Sequence, residues 1–584
     1  MLNRAILISG PSELAGLLRE FPDKYWNYDC IALTPDVFEF SKTDLNFKNV
    51  FYPTWAQNIR TFSIENYEKI KSLLTLIEEE SSFKREIFFS ENSTKVEWNY
   101  FSNYYLISML MAARKFAAES YQQLTSYEVV EILCLNHSGE YYFDSSIQPS
   151  VLYYEFNRLG VNANLLLLDD RSKSSTYQAN LYESMPNLFS ENFLKQWNSY
   201  DKSVLIATSA IYSKDDQDKL SNILNSSYNN SNHLVYPVPL WPVINPSMIF
   251  NERCSVFDAL NYLGDKLRSD CLNYVDWLTS RTENIFLEIF DDKGLRHNPL
   301  FRSQINRLQK RHLLQSLTYL GLKQVFRTQK PEMLALTNQD SSINGPLASA
   351  AMSYGIPLII FPHGHILNWP VPCDCIIATE WWQPNPVHTL WENIEDYIYF
   401  DTKYFQSNYL ISRIHSNRSW MILYNGVHEN IFNSVAWPFV KKIVEFVANQ
   451  ARISKTNLVH RLKPGDQTPI QTFCELLELE LTTAVDALKS SLDDLLFSTE
   501  LVISIDEPST ALWEAISMGC AVVLVTDRTL TKESIADLQV LRPIDFETFT
   551  NLILSFVQNP SAIEDYKAKQ QSAFLELRSR RLLA

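Results

Sequence analysis

Short apolar runs alternate with longer segments of helical spacing along most of the chain, and this alternation is typical of parallel α/β sheets. In the first half of the chain, the runs that predict strands lie at 4–9, 30–34, 49–52, 129–135, 164–168, 204–208 and 234–236. Residues 66–120 predict mainly helices. The segment 255–325 has long amphipathic spacing without a strand-like run, so it predicts a helical insertion.

The alternation is most regular in the last third of the chain. A strand, a helix and a second strand are predicted there in succession, at 333–337, 345–354 and 357–361. Three prolines then predict a loop that crosses between two domains, at Pro362, Pro370 and Pro372. Beyond this loop the predicted strands lie at 375–379, 420–424, 457–462, 501–505 and 521–525, with helices at 437–449, 475–490 and 509–518.

These patterns predict several α/β units, because 584 residues are too many for one hydrophobic core. Ligands of doubly wound sheets bind beyond the carboxyl ends of the strands, so the loops after strands are the segments to search for function. The predicted division is an N-terminal α/β region over 1–125, an acceptor-type domain over 126–372 with the insertion, a C-terminal domain over 373–558, and a helix over 559–584 that returns to the first domain.

Charge and cysteine content exclude some classes of protein. The formal charge of −16 argues against a nucleic-acid partner, because neutralising phosphates requires clustered Lys and Arg. The eight cysteines form no CxxC pair, so no structural zinc site is expected. The first apolar run, at 5–8, is too short for a signal sequence or a membrane span. We therefore expect a cytoplasmic protein.

A cation-rich turn follows the predicted strand 457–462. His460, Arg461 and Lys463 lie within four residues there, and Pro464 and the glycine after it end the strand. A dense group of cations at a strand end suits a phosphate or diphosphate. The alternative is a solvated loop whose basic side chains face water.

A second turn joins the predicted strand 501–505 to a helix. Ser509 or Thr510 is suited to cap that helix, and the unpaired N–H groups at a helix start attract phosphate. Glu514 lies about one turn into the helix, in reach of a neighbouring ribose. The alternative is an ordinary capping box, which explains Ser509 well. It explains Glu514 less well, because the acid of the box belongs three positions after the cap.

Residues 504–525 resemble the donor-binding signature of GT-B glycosyltransferases. The resemblance implies that Ser509 and Thr510 meet the donor phosphate and that Glu514 holds the nucleotide ribose. The Arg-Leu-Lys-Pro turn at 461–464 resembles the turn that precedes this signature in bacterial capsule and lipopolysaccharide transferases, including those that use CMP-activated Kdo or sialic acid. Lys463 stands where those families more often have His.

The resemblance implies an α/β fold of two Rossmann-like domains that face a cleft, with an enlarged N-terminal region and the helical insertion. It covers about residues 330–560. Asp506 and Glu514 are eight positions apart, and this spacing also resembles the E-x7-E pattern of retaining GT-B enzymes. Whether transfer retains or inverts the anomeric configuration therefore stays open.

Candidates for the catalytic acid or base follow strands of the preceding domain. Asp340 comes after 333–337, and His363 comes after 357–361 in a Pro-His-Gly turn that resembles the Gln-His-Gly turn of capsule-type families. Asp340 would deprotonate an acceptor hydroxyl if burial raised its pKa. The alternatives are a helix cap for Asp340 and a backbone-bonded loop histidine for His363.

His137 follows the predicted strand 129–135 beside a glycine and is a second-rank base candidate. His363 and His365 with Asp340 would also suit a metal, but no third histidine is near in sequence. We expect no metal and no cofactor apart from the sugar nucleotide.

The sequence thus predicts a metal-independent glycosyltransferase with a nucleotide-sugar donor and a glycan or lipid-linked glycan acceptor, as in surface-polysaccharide synthesis. The preferred donor is a CMP-activated Kdo or sialic acid-like sugar. Alternatives are a UDP-sugar-dependent transferase, a sugar-nucleotide 2-epimerase, and a non-enzymatic GT-B scaffold that binds carbohydrate. The amphipathic, weakly basic residues 574–583 also fit a peripheral contact with the inner face of the membrane.

Overall fold

The fold consists of three parallel sheets with their helices and one short antiparallel strand pair. In the computed structural model of the chain, the described residues are 3–21, 23–33, 37–38, 41–42, 47–53, 67–89, 98, 114–136, 147–169, 184–198, 203–208, 232–237, 253–290, 296, 299–336, 344–360, 375–378, 396–399, 419–424, 437–462, 474, 481–505, 510–526 and 540–583. The α/β class with parallel sheets is as predicted. Three sheets are present where the sequence predicts two Rossmann-like domains with an enlarged N-terminal region.

The first sheet has five parallel strands in the order β3-β2-β1-β4-β5. They are β1 (Arg4–Ile8), β2 (Asp29–Ala32), β3 (Asn49–Phe51), β4 (Val129–Asn136) and β5 (Ala163–Asp169). Helix α1 (Pro11–Glu20) starts with a proline, which has no N–H to leave unsatisfied in the first turn. Because β1 pairs with β4, the division predicted at 125/126 passes through a single sheet.

The second sheet has six parallel strands in the order β13-β12-β11-β10-β7-β8. They are β7 (Ser203–Thr208), β8 (Asn232–Pro237), β10 (Met333–Leu336), β11 (Leu358–Ile360), β12 (Cys375–Ala378) and β13 (Asp396–Tyr399). β11 pairs with β12, so the division predicted at 372/373 also falls inside one sheet. The antiparallel pair is β6 (Ser184–Pro186) with β9 (Arg253–Ser255).

A layer of helices shares one hydrophobic core with both of these sheets. Its members are α2 (Tyr67–Phe89), α3 (Ile147–Arg158), α4 (Glu191–Asn198), α5 (Val256–Leu260), α6 (Asp265–Phe290), α7 (Pro299–Thr328) and α8 (Asn344–Ser353). Helices α5 to α7 account for most of the segment in which the sequence predicts helices. They are more than an insertion, because their apolar residues join the cores of the two sheets.

A buried polar network centred on Arg85 lies inside this layer. The Arg85 side chain on α2 is fully buried, 4.0 Å from the Glu78 carboxylate, and its guanidinium carbon is 4.5 Å from the centre of the Trp98 ring. Trp98 donates its backbone N–H to Glu78 and its indole N–H to Ser349 of α8. Gln315 of α7 donates to the Trp98 carbonyl. Side chains from three helices thus converge on Trp98, whose ring lies against the buried charge.

The third sheet has five parallel strands in the order β15-β14-β16-β17-β18. They are β14 (Ser419–Tyr424), β15 (Asn457–Leu462), β16 (Thr499–Ile505), β17 (Ala521–Val525) and β18 (Pro543–Ile544). The accompanying helices are α9 (Trp437–Ser454), α10 (Leu481–Lys489), α11 (Leu492–Phe497), α12 (Thr510–Ser517), α13 (Phe546–Gln558) and α14 (Pro560–Leu583). Apolar residues of α9 and α13 cover one face, and those of α12 and α14 cover the other.

Helix α14 packs on the third sheet. The sequence predicts instead that this last helix returns to the first domain. Gln570 accepts a hydrogen bond from the N–H of Val522 at 2.8 Å and donates to the carbonyls of Val522 and Val540. Tyr566 also donates to the Val522 carbonyl. Since β18 pairs only with Leu524 and the residue after it, the Gln570 amide takes the place of a neighbouring strand at Val522.

We predict that Gln570→Leu lowers the free energy of unfolding by about 2–3 kcal/mol, because it removes the partner of the Val522 N–H and of the Val540 carbonyl. Urea unfolding followed by circular dichroism measures the loss. Lys569→Leu, at the exposed neighbouring position, is the control and should change stability by less than about 0.5 kcal/mol. Equal effects of the two substitutions would contradict this account of Gln570.

We predict that Arg85→Met destabilises the protein by about 3–5 kcal/mol, because it removes the guanidinium that lies 4.0 Å from the buried Glu78 carboxylate. The double variant Arg85→Met/Glu78→Gln should be more stable than Arg85→Met, since the amide keeps an acceptor for Trp98 and carries no charge. Urea unfolding of the two single variants and the double variant measures the coupling. Strictly additive losses would show that the two charges do not interact.

Candidate ligand site at the carboxyl edge of the third sheet

Three neighbouring strands of the third sheet, β15, β14 and β16, end at the same level on its carboxyl edge. Tyr424, the last residue of β14, is aligned with Leu462 at the end of β15 and with Ile505 at the end of β16. The chain passes from β14 to α9 on one face and from β16 to α12 on the other. Such a reversal creates a crevice beyond the ends of two neighbouring strands, where α/β proteins bind ligands.

The two turns singled out in the sequence start at this same edge but not at adjoining strands. β14 lies between β15 and β16, so the turns after β15 and β16 start about 10 Å apart, two strand spacings. The reversal lies between β14 and β16. The turn after β16 therefore follows a strand at the reversal, and the turn after β15 follows a strand one position away.

Helix α12 starts beside the crevice with Thr510 as its first residue. Its first N–H groups and the positive end of its dipole therefore lie near the carboxyl edge of the sheet. Glu514 is partly exposed one turn further, among buried neighbours such as Trp513 and Ala515. The helix ends at Ser517, and Gly519 follows with a φ of 82°, in the left-handed region that favours glycine.

His460 lies on the face of β15 that packs against α9 and α13, and it is bound to Tyr424. The Tyr424 hydroxyl is 2.7 Å from Nδ1 of His460, and the two rings stack at a centroid distance of 6.0 Å. Burial lowers the pKa of His460 to about 4. His460 is therefore neutral at pH 7 and offers no positive charge to a phosphate, unlike the cation expected from the sequence.

Arg461 points to the opposite face of β15 and is buried, with 7% of its surface exposed. Its Nη1 donates to the carbonyl of Ala487 in the last turn of α10. Burial lowers the pKa of the guanidinium. A cation at this position stabilises the carbonyl end of the helix. The sequence predicts that Arg461 binds the donor phosphate. The structure instead places its side chain in the core beside α10.

Tyr424 is the residue of this edge that the sequence reasoning missed. Its side chain is 1% exposed, and burial together with the nearby Cys474 thiol raises its pKa well above the usual value. The phenol therefore keeps its proton. One feature of the sequence could have identified it, because Tyr424 puts a polar atom at the carboxyl end of a strand, directly after the apolar run 420–423.

The remaining predicted residues lie outside the described part of the chain. They are Asp340, His363, His137, Lys463, Asp506 and Ser509. The strands that precede Asp340 and His363, β10 and β11, are neighbours in the second sheet. The strand that precedes His137 is β4 of the first sheet. These candidates therefore follow strands of two different sheets.

Among the described residues, no three or more His, Cys, Asp and Glu side chains are grouped as a metal site would require. None of the helices in the same part of the chain combines the length and the apolar run that a bilayer crossing needs.

The described residues define an α/β protein with parallel sheets, and the direction of the connections reverses between β14 and β16 of the third sheet. No protein-family model matches the chain, and the curated proteins include no match to it.

We predict that His460 makes the protein less stable in acid. Its pKa is about 4 in the folded state, below the ordinary value of 6.5, so the unfolded chain binds the extra proton first. The stability that this histidine contributes is complete above pH 6.5 and is lost as the pH falls towards 4. In that range His460→Phe should reduce the slope of unfolding free energy against pH by up to about 1.4 kcal/mol per unit.

Urea unfolding at pH 7, 6, 5 and 4.5 measures both slopes. A His460→Phe variant with the same pH dependence as the wild type would mean that the folded protein protonates His460 as readily as the unfolded chain does.

Proposed function

We propose that the protein is a glycosyltransferase that binds the nucleotide part of a sugar donor in the crevice of the third sheet. The observation that carries the proposal is the position of α12. Its N-terminus starts at the carboxyl edge, beside the point where the strand order reverses, and Glu514 follows one turn later. This combination supplies N–H donors for a phosphate and a carboxylate for a ribose.

In this proposal the helix start and the hydroxyls of Ser509 and Thr510 hold the donor phosphate. Glu514 accepts hydrogen bonds from the ribose hydroxyls. As the bond to the sugar breaks, negative charge grows on the departing phosphate, and the fixed N–H dipoles stabilise it. Lys463 supplies the positive charge at this edge, because Arg461 is engaged with α10 and His460 is neutral.

The acceptor side of the proposed reaction requires a base. Asp340 and His363 remain the candidates, and β10 and β11, the strands before them, are paired in the second sheet. Either side chain would take the proton of an acceptor hydroxyl as that oxygen attacks the sugar. The donor we favour is a CMP-activated Kdo or sialic acid-like sugar, and a UDP-sugar is the alternative. The acceptor class is a glycan or lipid-linked glycan.

We predict that one of CMP, UDP, GDP and TDP raises the thermal stability of the wild-type protein. A nucleotide that binds only the folded state adds about 2.7 kcal/mol of stability at a hundredfold its dissociation constant. Glu514→Ala should lose most of this response, because the ribose contact is removed. Glu576→Ala, which removes an exposed carboxylate on α14, should respond as the wild type does.

Absence of a shift with all four nucleotides would rule out the proposed donor site. An equal shift in wild type and Glu514→Ala would leave a nucleotide site but remove Glu514 from it. Incubation with a labelled sugar nucleotide and no acceptor separates transfer from epimerisation, since only an epimerase would form a new sugar nucleotide there.

A further inference from the structure

The first sheet also reverses the direction of its connections, between the neighbouring strands β1 and β4. Helix α1, which follows β1, packs on one face of this sheet, and helix α3, which follows β4, packs on the other. Ligands of parallel α/β sheets bind beyond the carboxyl ends of the two strands at such a reversal. The chain that leaves β1 passes through Ser9 and Gly10 into the first turn of α1.

Ser9 places a buried hydroxyl at this point. The residue is 5% exposed, and its Oγ has no hydrogen-bond partner among the described residues. Leu7 and Ile132 are aligned and face the core that the helical layer forms. Because side chains alternate along a strand, Ser9 and Cys134, two positions further along, lie on that same face. A buried hydroxyl without a partner is costly, and a bound ligand would supply the partner.

Two opposite charges lie close to the same point. The Glu13 carboxylate, 2% exposed in the first turn of α1, lies against Gly10, since a Cβ at Gly10 would be 2.9 Å from its Oε2. Burial and the Glu13 charge raise the pKa of the Cys134 thiol to about 12, and the charge of Arg307 on α7 opposes them. Both charges therefore act at the end of β4. A carboxylate, a guanidinium, a neutral thiol and a hydroxyl thus converge where β1 and β4 end.

The sheet is accessible to solvent one strand away from this group. Leu167 on β5 is aligned with Cys134, and 52% of its surface is exposed. Arg307 is also partly exposed. A ligand can therefore approach the ends of β1 and β4 from the side of β5.

The Glu13 carboxylate decides which class of ligand suits these residues. The N–H groups at the start of a helix attract anions, but at α1 the protein's own carboxylate already lies there. A ligand phosphate would be repelled by it. The hydroxyl groups of a carbohydrate suit the same residues, because they donate to a carboxylate and accept from a guanidinium and from a serine hydroxyl.

We infer that the ends of β1 and β4 form a second ligand site, which binds the hydroxyl groups of a neutral carbohydrate. Glu13 accepts hydrogen bonds from the sugar, and Arg307 and Ser9 donate to it. This site lies in a different sheet from the proposed nucleotide site, and the inference does not rest on the proposed function.

Saturation-transfer NMR with the methyl glycosides of glucose, galactose, mannose and N-acetylglucosamine tests the inference. At least one of these sugars should bind the wild type. Glu13→Gln should raise its Kd about tenfold, because the sugar hydroxyls lose a charged acceptor. Ser9→Ala leaves the carboxylate at the start of α1 in place and should raise Kd about fivefold, the value of one uncharged hydrogen bond.

Glu20→Gln is the matched control. It removes a carboxylate from the last turn of the same helix, where Glu20 lies 3.5 Å from Arg19. This variant should bind the sugar as the wild type does. The Tm of each variant, measured alongside, separates a loss of binding from a loss of folding.

Absence of a signal with all four glycosides would overturn the inference, and so would equal affinity of the wild type, Glu13→Gln and Ser9→Ala. Inorganic phosphate that raises the Tm of the wild type but not of Arg307→Gln would show an anion site in place of a carbohydrate site. None of these results bears on the nucleotide site of the third sheet, which the Glu514→Ala variant tests.

Discussion

The buried charge of Arg85 is the interaction on which the arrangement of the first two sheets depends. A guanidinium without access to water requires a negative partner and further polar contacts, and Glu78, the Ser81 hydroxyl and the Trp98 ring provide them. Trp98 in turn is held by Ser349 and Gln315, which belong to helices far away in the sequence. The helical layer is therefore fixed by directional bonds as well as by apolar contact, and both sheets share the core that it forms.

The third sheet uses buried polar groups in a different way. In the helical layer they join separate helices, whereas at the carboxyl edge they fix where individual strands end. Arg461 ties β15 to α10, and Tyr424 ties β14 to β15. Two of the residues that the proposal assigns to the ligand, Thr510 and Glu514, lie instead on a helix that starts at the same edge. Buried strand ends beside a helix that carries the assigned residues are the division of roles that a precise binding site requires.

Local elements were predictable from the sequence because their patterns are strong and short. The strand predicted at 457–462 matches β15, and the helix predicted at 509–518 differs from α12 by one residue at each end. Sheet membership was not predictable, because the pairing of β1 with β4 joins segments more than a hundred residues apart. The burial of His460 and Arg461 was not predictable for the same reason. Basic residues at a strand end are normally solvated, and the partners that bury these two come from other elements.

The amide of Gln570 has a consequence for the solubility of the folded chain. A parallel sheet that stops at a two-residue strand leaves backbone donors and acceptors open to pairing with another molecule. Gln570 and Tyr566 occupy those groups at Val522, so the last helix closes the sheet as an additional strand would. Helix α14 thereby protects each copy of the protein from joining edge to edge with the next.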